Sequence, residues 1–389
     1  MKAFVIAGEV SGDKLGGALM AGLRNLRPDI TFNGVGGAEM QAQGLTSLFD
    51  MNELSVMGIV EILPKYQHLK RRIRETAQAV IDAKPNVMIT IDSPDFSLRV
   101  AKLVKAETNI RCVHYVAPSV WAWRPGRAVK MAKVIDHVLA LLPFEPPYME
   151  AVGMECDFVG HPIAGEPVAT AAEASAFKTH FGLEGADPLL LVLPGSRRGE
   201  VTRLAPILGE ALKPLVAAHP NLKVVVPAAG PVAQLVQEQA KDWPVTPLVL
   251  DPSNQSLASA LAEKRAAFRA ADFAIAASGT VMLELAAAKT PTISAYDVNW
   301  ISRQIMSRMV KVDTANLINL VSDTRHVPEF LLADCRADLI SAGLERLMAN
   351  PEPQLAAMAE TMTQLGQDGE DPGLCAARAV LDRMVSAEA

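Results

Sequence analysis

Residues 1–17, MKAFVIAGEVSGDKLGG, decide the fold, because an apolar run turns abruptly into a polar, glycine-rich segment. Residues 2–7 predict a buried strand that ends at Gly8, and the leucines that follow at intervals of four predict a helix. At such a turn, backbone N–H groups and the positive end of the helix dipole favour an anion or a sugar hydroxyl. The turn does not follow the dinucleotide fingerprint G-x-G-x-x-G. Glu9 and Ser11 project a carboxylate and a hydroxyl into it instead, so the turn favours a polyhydroxylic ligand over a pyrophosphate.

Length and composition limit the classes of protein to which the chain can belong. The 389 residues are enough for two domains. Although 50% of them are hydrophobic, we find no run of eighteen apolar residues that would predict a bilayer span. The net charge of -6 makes a nucleic-acid partner improbable. Four well-separated cysteines and the lack of a secretory signal predict a reducing, cytoplasmic location without disulfides or a zinc site.

Strand-like and helix-like segments alternate along the chain, which predicts βαβ units and parallel sheets. The predicted strands after the first are VMITID, residues 110–116, HVLALL, LLLVL, LKVVVPA, PLVLD, ADFAIA and TPTISAY. An alanine-rich segment at 164–176 predicts a linker. We therefore expect an α/β protein with two doubly wound domains, 1–165 and 166–352, and a ligand cleft between them at the carboxyl ends of their strands. The last helical stretch, about 353–389, is expected to pack back on the first domain or on a partner chain.

A glycine-rich turn follows the strand LLLVL in the second half. Its residues Gly195, Ser196 and Arg197 open a predicted helix, and a planar guanidinium can hold two phosphate oxygens. The motif therefore suits a diphosphate. Taken alone, it is equally typical of a solvated helix start with surface arginines.

The strand ADFAIA ends in a similar turn. Ser278, Gly279 and Thr280 could approach phosphates there, and Glu284 could accept two hydroxyl protons from a ribose. The alternative for a lone glutamate is a charge that complements the helix dipole.

Two carboxylates, Asp92 and Asp95, follow the strand VMITID. Their spacing is compatible with a metal pair, a helix cap or a general base. The next polar segment, HYVAPSVWAWRPGR at 114–127, combines tryptophans with arginines, which suits a sugar ring or an acyl chain bearing a phosphate. Its Trp121 could equally be a core anchor.

A set of ordered motifs resembles the lipid-A-disaccharide synthases. The motifs are GEVSGD (8–13), GVGGAEM (34–40), MGIVE (57–61), SPDF (93–96), PSVWAWR (118–124), LPFE (142–145), FVGHP (158–162), LPGSR (193–197) and SGTVMLE (278–284). The resemblance implies the GT-B architecture, with two Rossmann-like domains facing a central cleft. It also implies an inverting glycosyltransferase without a metal or cofactor. The implied substrates are UDP-2,3-diacylglucosamine and 2,3-diacylglucosamine 1-phosphate, which give a β(1→6) disaccharide and UDP.

The resemblance also assigns roles to residues. It implies that Asp95 deprotonates the 6-hydroxyl of the acceptor, that Arg197 binds the donor diphosphate and that Glu284 binds the uridine ribose. It places one further donor residue, Asn319, in a turn where relatives read Leu-Pro-Asn-Leu and this chain reads LINL. The residues expected to line the acceptor side of the cleft are Glu9, Ser11, Gly12, Asp13, Ser119, Trp121 and Arg124.

Two amphipathic stretches, 55–74 and 299–311, predict peripheral contact with the inner face of the cytoplasmic membrane, since apolar groups beside cations suit an anionic surface. In the first stretch the candidates are Val56, Met57, Ile59, Val60, Ile62, Leu63, Lys65, Lys70, Arg71 and Arg72. A core helix with a solvated basic side is the alternative. A homodimer is also compatible with the sequence.

Three other functions remain open from the sequence. One is a different UDP-sugar enzyme of the same architecture, such as a UDP-N-acetylglucosamine 2-epimerase. Another is a protein that binds a UDP-sugar or lipid without turnover, and the third is a metal-dependent transferase that uses Asp92 and Asp95.

Overall fold

The computed structural model describes residues 1–54, 59–122, 124, 126–298 and 312–388, with the side chains of 59–65 and 385–388 outside that description. The strands in this part of the chain are β1 (Lys2–Ala7), β2 (Thr31–Val35), β3 (Thr46–Ser47), β4 (Val87–Ile91), β5 (Arg111–Tyr115), β6 (His137–Ala140), β7 (Glu155–Phe158), β8 (Leu189–Leu193), β9 (Lys223–Pro227), β10 (Leu248–Leu250), β11 (Phe273–Ala276), β12 (Thr292–Tyr296) and β13 (Glu329–Leu331). The α-helices are α1 (Val10–Leu26), α2 (Ala38–Ala42), α3 (Ile59–Ala83), α4 (Pro94–Glu107), α5 (Gly126–Met131), α6 (Pro146–Glu150), α7 (Ala171–His180), α8 (Arg198–Ala218), α9 (Ala233–Gln239), α10 (Leu257–Ala270), α11 (Val281–Ala288), α12 (Leu317–Val321), α13 (Ala337–Ala349), α14 (Glu352–Gln364) and α15 (Pro372–Glu388).

The chain divides into two compact units, and each is described by itself. The first contains Met1–Gly165 and Leu365–Ala389, and the second contains Glu166–Gln364. The sequence predicted one helical stretch from about 353 onward. The structure instead contains two helices there, and they belong to different units. Helix α14 belongs to the second unit and α15 to the first.

The first unit holds a parallel sheet in which the described strands follow the order β3-β2-β1-β4-β5-β6-β7. The order reverses direction between β1 and β4, and in doubly wound sheets ligands bind outside the carboxyl ends of the strands at such a point. The turn after β1 contains Glu9, and the turn after β4 contains Asp92. The topology thus brings together two motifs that the sequence separates by about eighty residues.

The second unit repeats the arrangement. Its described strands form a parallel sheet in the order β10-β9-β8-β11-β12-β13, so the reversal lies between β8 and β11. The turn that begins at Pro194 follows β8, and the turn that begins at Ala277 follows β11. Both predicted donor motifs therefore stand at one switch point.

The central strands of both sheets are mostly hydrophobic along their whole length, which explains why they are buried. Every residue of β4 and β8 is buried, as expected for parallel strands covered by helices on both faces. Helix α1 buries Leu19 and Leu23 completely, which confirms the predicted periodicity. The predicted α/β class with two parallel sheets is confirmed. Strands β2, β3, β7 and β13 were not predicted from the sequence.

Helix α15 packs closely on α1 within the first unit. A Cβ added to Gly22 would lie 2.6 Å from the carbonyl oxygen of Gly373, so the two backbones meet at glycines. Farther along α15, the Arg383 guanidinium pairs with Asp157 at 2.9 Å. The end of the chain is thereby fixed to the sheet of the first unit.

Candidate active site

The turns after β1 and β4 touch each other in the first unit. A Cβ on Gly8 would lie 2.6 Å from the Ser93 hydroxyl oxygen, and one on Gly12 would lie 3.4 Å from the Ile91 carbonyl oxygen. Glu9 is half-buried and Ser11 is exposed at the start of α1. These small residues let the two turns share one surface at the switch point.

The turn after β4 has an unusual backbone. Asp92 and Ser93 are consecutive residues with positive φ, at 49° and 46°, a conformation that costs of order 1–3 kcal/mol each and is concentrated at functional sites. The Asp92 carboxylate accepts a hydrogen bond from the Ser93 amide at 2.8 Å. Asp95 is exposed in the first turn of α4. Asp92 thus shapes the turn, whereas Asp95 is presented to solvent.

The loop after β5 is attached to the segment after β6. Trp121 donates its indole N–H to a Glu145 carboxylate oxygen at 3.2 Å, and the Leu142 amide donates to the other oxygen at 3.0 Å. Burial raises the pKa of Glu145 from 4.5 to about 7. Trp121 also packs edge-to-face on Phe144, with ring centroids 5.3 Å apart.

Other residues of this loop are accessible. Ser119 and Arg124 are both exposed, and Arg124 has a positive φ of 51°. Val116, at the start of the loop, has a φ of 86°, which is an outlier for a β-branched residue. The loop conformation is therefore imposed by its surroundings.

The two donor motifs of the second unit are neighbours. The Ala277 amide donates to the Leu193 carbonyl at 2.9 Å, which joins the ends of β11 and β8. Gly195 and Gly279 have φ of 111° and 132°, values that other residues rarely adopt. The turns containing Ser196 and residues 278–280 therefore lie side by side before α8 and α11.

Glu200, the third residue of α8, was not predicted from the sequence, and its side chain lies against the first of these turns. Its carboxylate accepts hydrogen bonds from the backbone amides of Ser196 at 3.1 Å and Arg197 at 3.2 Å. The Arg197 side chain is 70% exposed and reaches a Glu200 oxygen at 3.1 Å. The available sequence signal was a glutamate at the third position of the helix, where a carboxylate can accept from the unpaired amides at the helix start. Because Glu200 occupies these two amides, an incoming diphosphate is left with the exposed Arg197 guanidinium.

Glu284 has a cationic partner. It is half-buried in α11 and accepts a hydrogen bond from the Lys264 ammonium group at 2.5 Å. The charge of the carboxylate is thereby balanced while both groups keep about a third of their surface exposed. Ribose hydroxyls that bind Glu284 must share it with Lys264.

Two of the expected site residues are structural groups instead. The Asp13 carboxylate is 4% exposed and accepts hydrogen bonds from the amides of Gly37, Glu39 and Met40 at the start of α2. Asn319 is 1% exposed, and its amide exchanges two hydrogen bonds with the Val327 backbone. Their side chains are committed to the protein, so we exclude both from the groups proposed to touch substrate.

Only part of the predicted membrane surface is described. Val56, Met57 and 299–311 lie outside the described residues, as do the side chains of Ile59, Val60, Ile62, Leu63 and Lys65. Lys70 and Arg71 are exposed. Arg72 is instead engaged with Glu53 and Glu75, which holds the pKa of its guanidinium above the ordinary value.

The described residues contain neither a candidate membrane-spanning helix nor a candidate metal-binding group. No helix there is both long and apolar enough to cross a bilayer. Nor does that part of the chain bring three histidine, cysteine or acidic side chains into a group that could hold a metal ion.

Comparison with known proteins gives concordant results. A model of the lipid-A-disaccharide synthetase family matches residues 3–385. A lipid-A-disaccharide synthase from Ruegeria pomeroyi is 62% identical over 384 residues, covering 99% of this chain and 96% of the relative. One from Rhodospirillum centenum is 44% identical, covering 97% and 94%. The crystal structure of a putative UDP-N-acetylglucosamine 2-epimerase from Listeria monocytogenes superposes with a TM-score of 0.63 at 13% identity, covering 100% of this chain and 96% of that one, which shows a shared fold.

Proposed function

The chain belongs to the lipid-A-disaccharide synthase family, and from that premise we propose how its residues divide the reaction between them. The protein is a lipid-A-disaccharide synthase, a glycosyltransferase of lipid A biosynthesis. Its donor in this proposal is UDP-2,3-diacylglucosamine, and its acceptor is 2,3-diacylglucosamine 1-phosphate. The first unit, with its switch-point turns, takes the acceptor. The second unit, except for α14, corresponds to the donor domain 166–352.

Arg197 is the proposed partner of the donor diphosphate. As the bond between the anomeric carbon and the UDP oxygen breaks, negative charge grows on the diphosphate, and a preorganised cation stabilises that charge. The exposed Arg197 guanidinium beside the turn of residues 278–280 supports this role. Glu284 is proposed to accept the ribose hydroxyls. Ser278, Gly279 and Thr280 offer two hydroxyls and backbone donors to the same ligand.

Asp95 is the proposed general base. It takes the proton of the acceptor 6-hydroxyl while that oxygen forms the new bond to the anomeric carbon and UDP leaves. The observation that carries this assignment is a contrast in the turn after β4: the Asp92 carboxylate accepts a hydrogen bond from the Ser93 amide, whereas Asp95 is exposed in the first turn of α4. Glu9 and Ser11, across the touching turn, are proposed to contact the sugars.

The direct test is a product assay with the unsubstituted protein. We expect UDP and a β(1→6) disaccharide to appear together, in equal amounts, only when both lipids are present. Excess chelator should leave the rate unchanged. UDP release without acceptor would favour an epimerase-like or hydrolytic reaction, and binding without release would favour a carrier.

We also propose peripheral binding to an anionic membrane surface through the stretch 55–74. The exposed cations Lys70 and Arg71, beside the exposed ring of Tyr66, support it. In a flotation assay with phosphatidylglycerol vesicles, binding should be strong at low salt and weaken as salt rises. A Lys70→Glu/Arg71→Glu double variant should float less than a Lys102→Glu control on α4. Equal flotation of the two would refute the proposal.

A homodimer also remains a proposal. Light scattering coupled to size-exclusion chromatography would test it directly, and a mass near 41.6 kDa, that of one chain, would refute it.

A further inference from the structure

An apolar groove of about 450 Å³ opens on the first unit. Its walls come from Val120 in the loop after β5, from α5 with Ala128 and Val129, and from the segment around α6 with Tyr148 and Val152. None of the described residues that line it is charged. Val129 is 52% exposed and Tyr148 is 46% exposed, so two large apolar side chains face water there. The groove falls in the size range of small-molecule sites, which are mostly apolar.

The groove lies near the proposed acceptor site within the first unit. Val120 lies between Ser119 and Trp121. The Asp92 amide donates to the Tyr115 carbonyl at 3.0 Å, and the Val116 amide donates to the Leu139 carbonyl at 3.0 Å, so the ends of β4, β5 and β6 lie in succession. Two strand spacings amount to about 10 Å. The groove therefore begins within the reach of an acyl chain attached to a sugar held near the turn after β4.

Charge at the rim favours an amphiphile with an anionic head. Lys130 is exposed on α5 and lies four residues after Gly126, which lines the groove, so the two residues share a face of the helix. Arg124 is exposed immediately before that helix, while the opposite wall contributes one exposed acid, Glu150. A guanidinium beside an apolar groove suits a phosphate attached to a hydrocarbon chain.

We propose that this groove binds one acyl chain of the acceptor, with Lys130 placed to meet the 1-phosphate. The proposal rests on the proposed function, because it assumes a diacylated sugar phosphate as acceptor. The groove belongs to the unit that carries Asp95, which selects the acceptor over the donor as occupant. Each methylene buried there contributes up to about fourfold in affinity. The groove thus makes acceptor recognition depend on chain length.

A groove-filling variant tests the proposal. A Cβ on Gly126, which lines the groove, meets no described atom within 4 Å and its φ is not positive, so Gly126→Leu adds bulk without backbone strain. Gly165→Leu is the matched control, because that glycine has the same freedom outside the groove. Kinetics are measured in mixed micelles of fixed composition with short-chain and long-chain acceptors.

Gly126→Leu should raise the KM of the long-chain acceptor by about tenfold or more while changing the KM of the donor and of the short-chain acceptor less than twofold. Val129→Ser removes apolar surface from the groove without added bulk, and it should also raise the KM of the long-chain acceptor. The exposed control Leu103→Ser should leave that KM unchanged. Lys130→Gln should reduce the ratio of kcat/KM for a phosphorylated acceptor to kcat/KM for a dephosphorylated one.

Three results would overturn the assignment. The first is an equal rise in the KM of the short-chain and long-chain acceptors in Gly126→Leu. The second is a rise in the KM of the donor instead of the acceptor, and the third is a loss of vesicle binding with unchanged kinetics in micelles. The last result would identify the groove as a membrane contact. Failure of the proposed function is distinguishable, because the unsubstituted protein would then form no disaccharide from any acceptor.

Discussion

At the scale of single residues, Glu145 shows how a carboxyl group is held away from water. It is 4% exposed, yet both of its oxygens accept hydrogen bonds, one from Trp121 and one from the Leu142 amide. Those bonds offset part of the cost of burial. Desolvation nevertheless raises the pKa to about 7, so at mildly acidic pH the folded protein holds this group as a neutral acid.

Glu145 should make the stability of the protein depend on pH. Because its pKa is raised on folding from 4.5 to about 7, its contribution is fully present below pH 4.5 and is lost as the pH rises through 7. The difference over that range is about 3 kcal/mol. Urea denaturation from pH 4.5 to 8 should show the unsubstituted protein losing stability relative to Glu145→Gln. Parallel profiles for the two proteins would contradict the raised pKa.

Arg197 should be essential for turnover. Arg197→Ala removes the exposed cation and leaves the Glu200 carboxylate unbalanced beside an incoming diphosphate, so we expect kcat/KM to fall by about 10²–10³-fold or more. Arg198→Ala, at the adjacent exposed position, should retain most of the activity. Similar losses in both variants, measured as acceptor-dependent UDP release, would show that general positive charge matters rather than this side chain.

Sequence pattern indicates which residues stand exposed at strand ends better than it indicates what buried polar side chains bond to. Asp95 and Arg197 stand at strand ends, where topology alone brings them to a switch point. Asp13 and Asn319 belong to equally recognisable motifs, but their side chains bond to backbone amides contributed by distant segments. Glu200 was missed for a related reason, since only the folded turn reveals that its carboxylate occupies the amides of that turn.

At the scale of elements, apolar content decided which strands were predictable. Strand β8 is an uninterrupted apolar run and β4 is interrupted only by Thr90, and both were predicted. Strand β2, TFNGV, alternates exposed and buried residues, and β3 has only two residues. Short strands with polar residues acquire their structure from the neighbouring strand, so sequence pattern alone does not specify them.

The contact between α1 and α15 gives a prediction at this scale. Gly22→Val would place side-chain atoms where the Gly373 carbonyl lies, and overpacking of this kind costs about 1–3 kcal/mol. Hydrogen exchange within 372–384 should accelerate in this variant. Gly165→Val, whose Cβ meets no described atom within 4 Å, should leave that exchange unchanged. Unaltered protection in Gly22→Val would show that the helices can separate slightly without loss of stability.

At the scale of the whole molecule, two parallel sheets each present a switch point, and the chemistry-bearing residues are divided between them. One set, around Asp95, suits a sugar hydroxyl, and the other, around Arg197, suits a nucleotide diphosphate. The repeated βαβ pattern made this division predictable. The assignment of α14 and α15 to different units was not predictable from the sequence. Both helices follow the last strand, and neither carries a sequence pattern that indicates which sheet it packs against.

Asp95→Asn tests most directly whether Asp95 accepts the proton of the acceptor hydroxyl. The variant should bind the UDP-sugar as tightly as the unsubstituted protein while its kcat falls by roughly 10²–10⁴-fold, whereas Glu107→Gln at the other end of α4 keeps full activity. Near-normal turnover by Asp95→Asn, with an unchanged fold, would contradict the account.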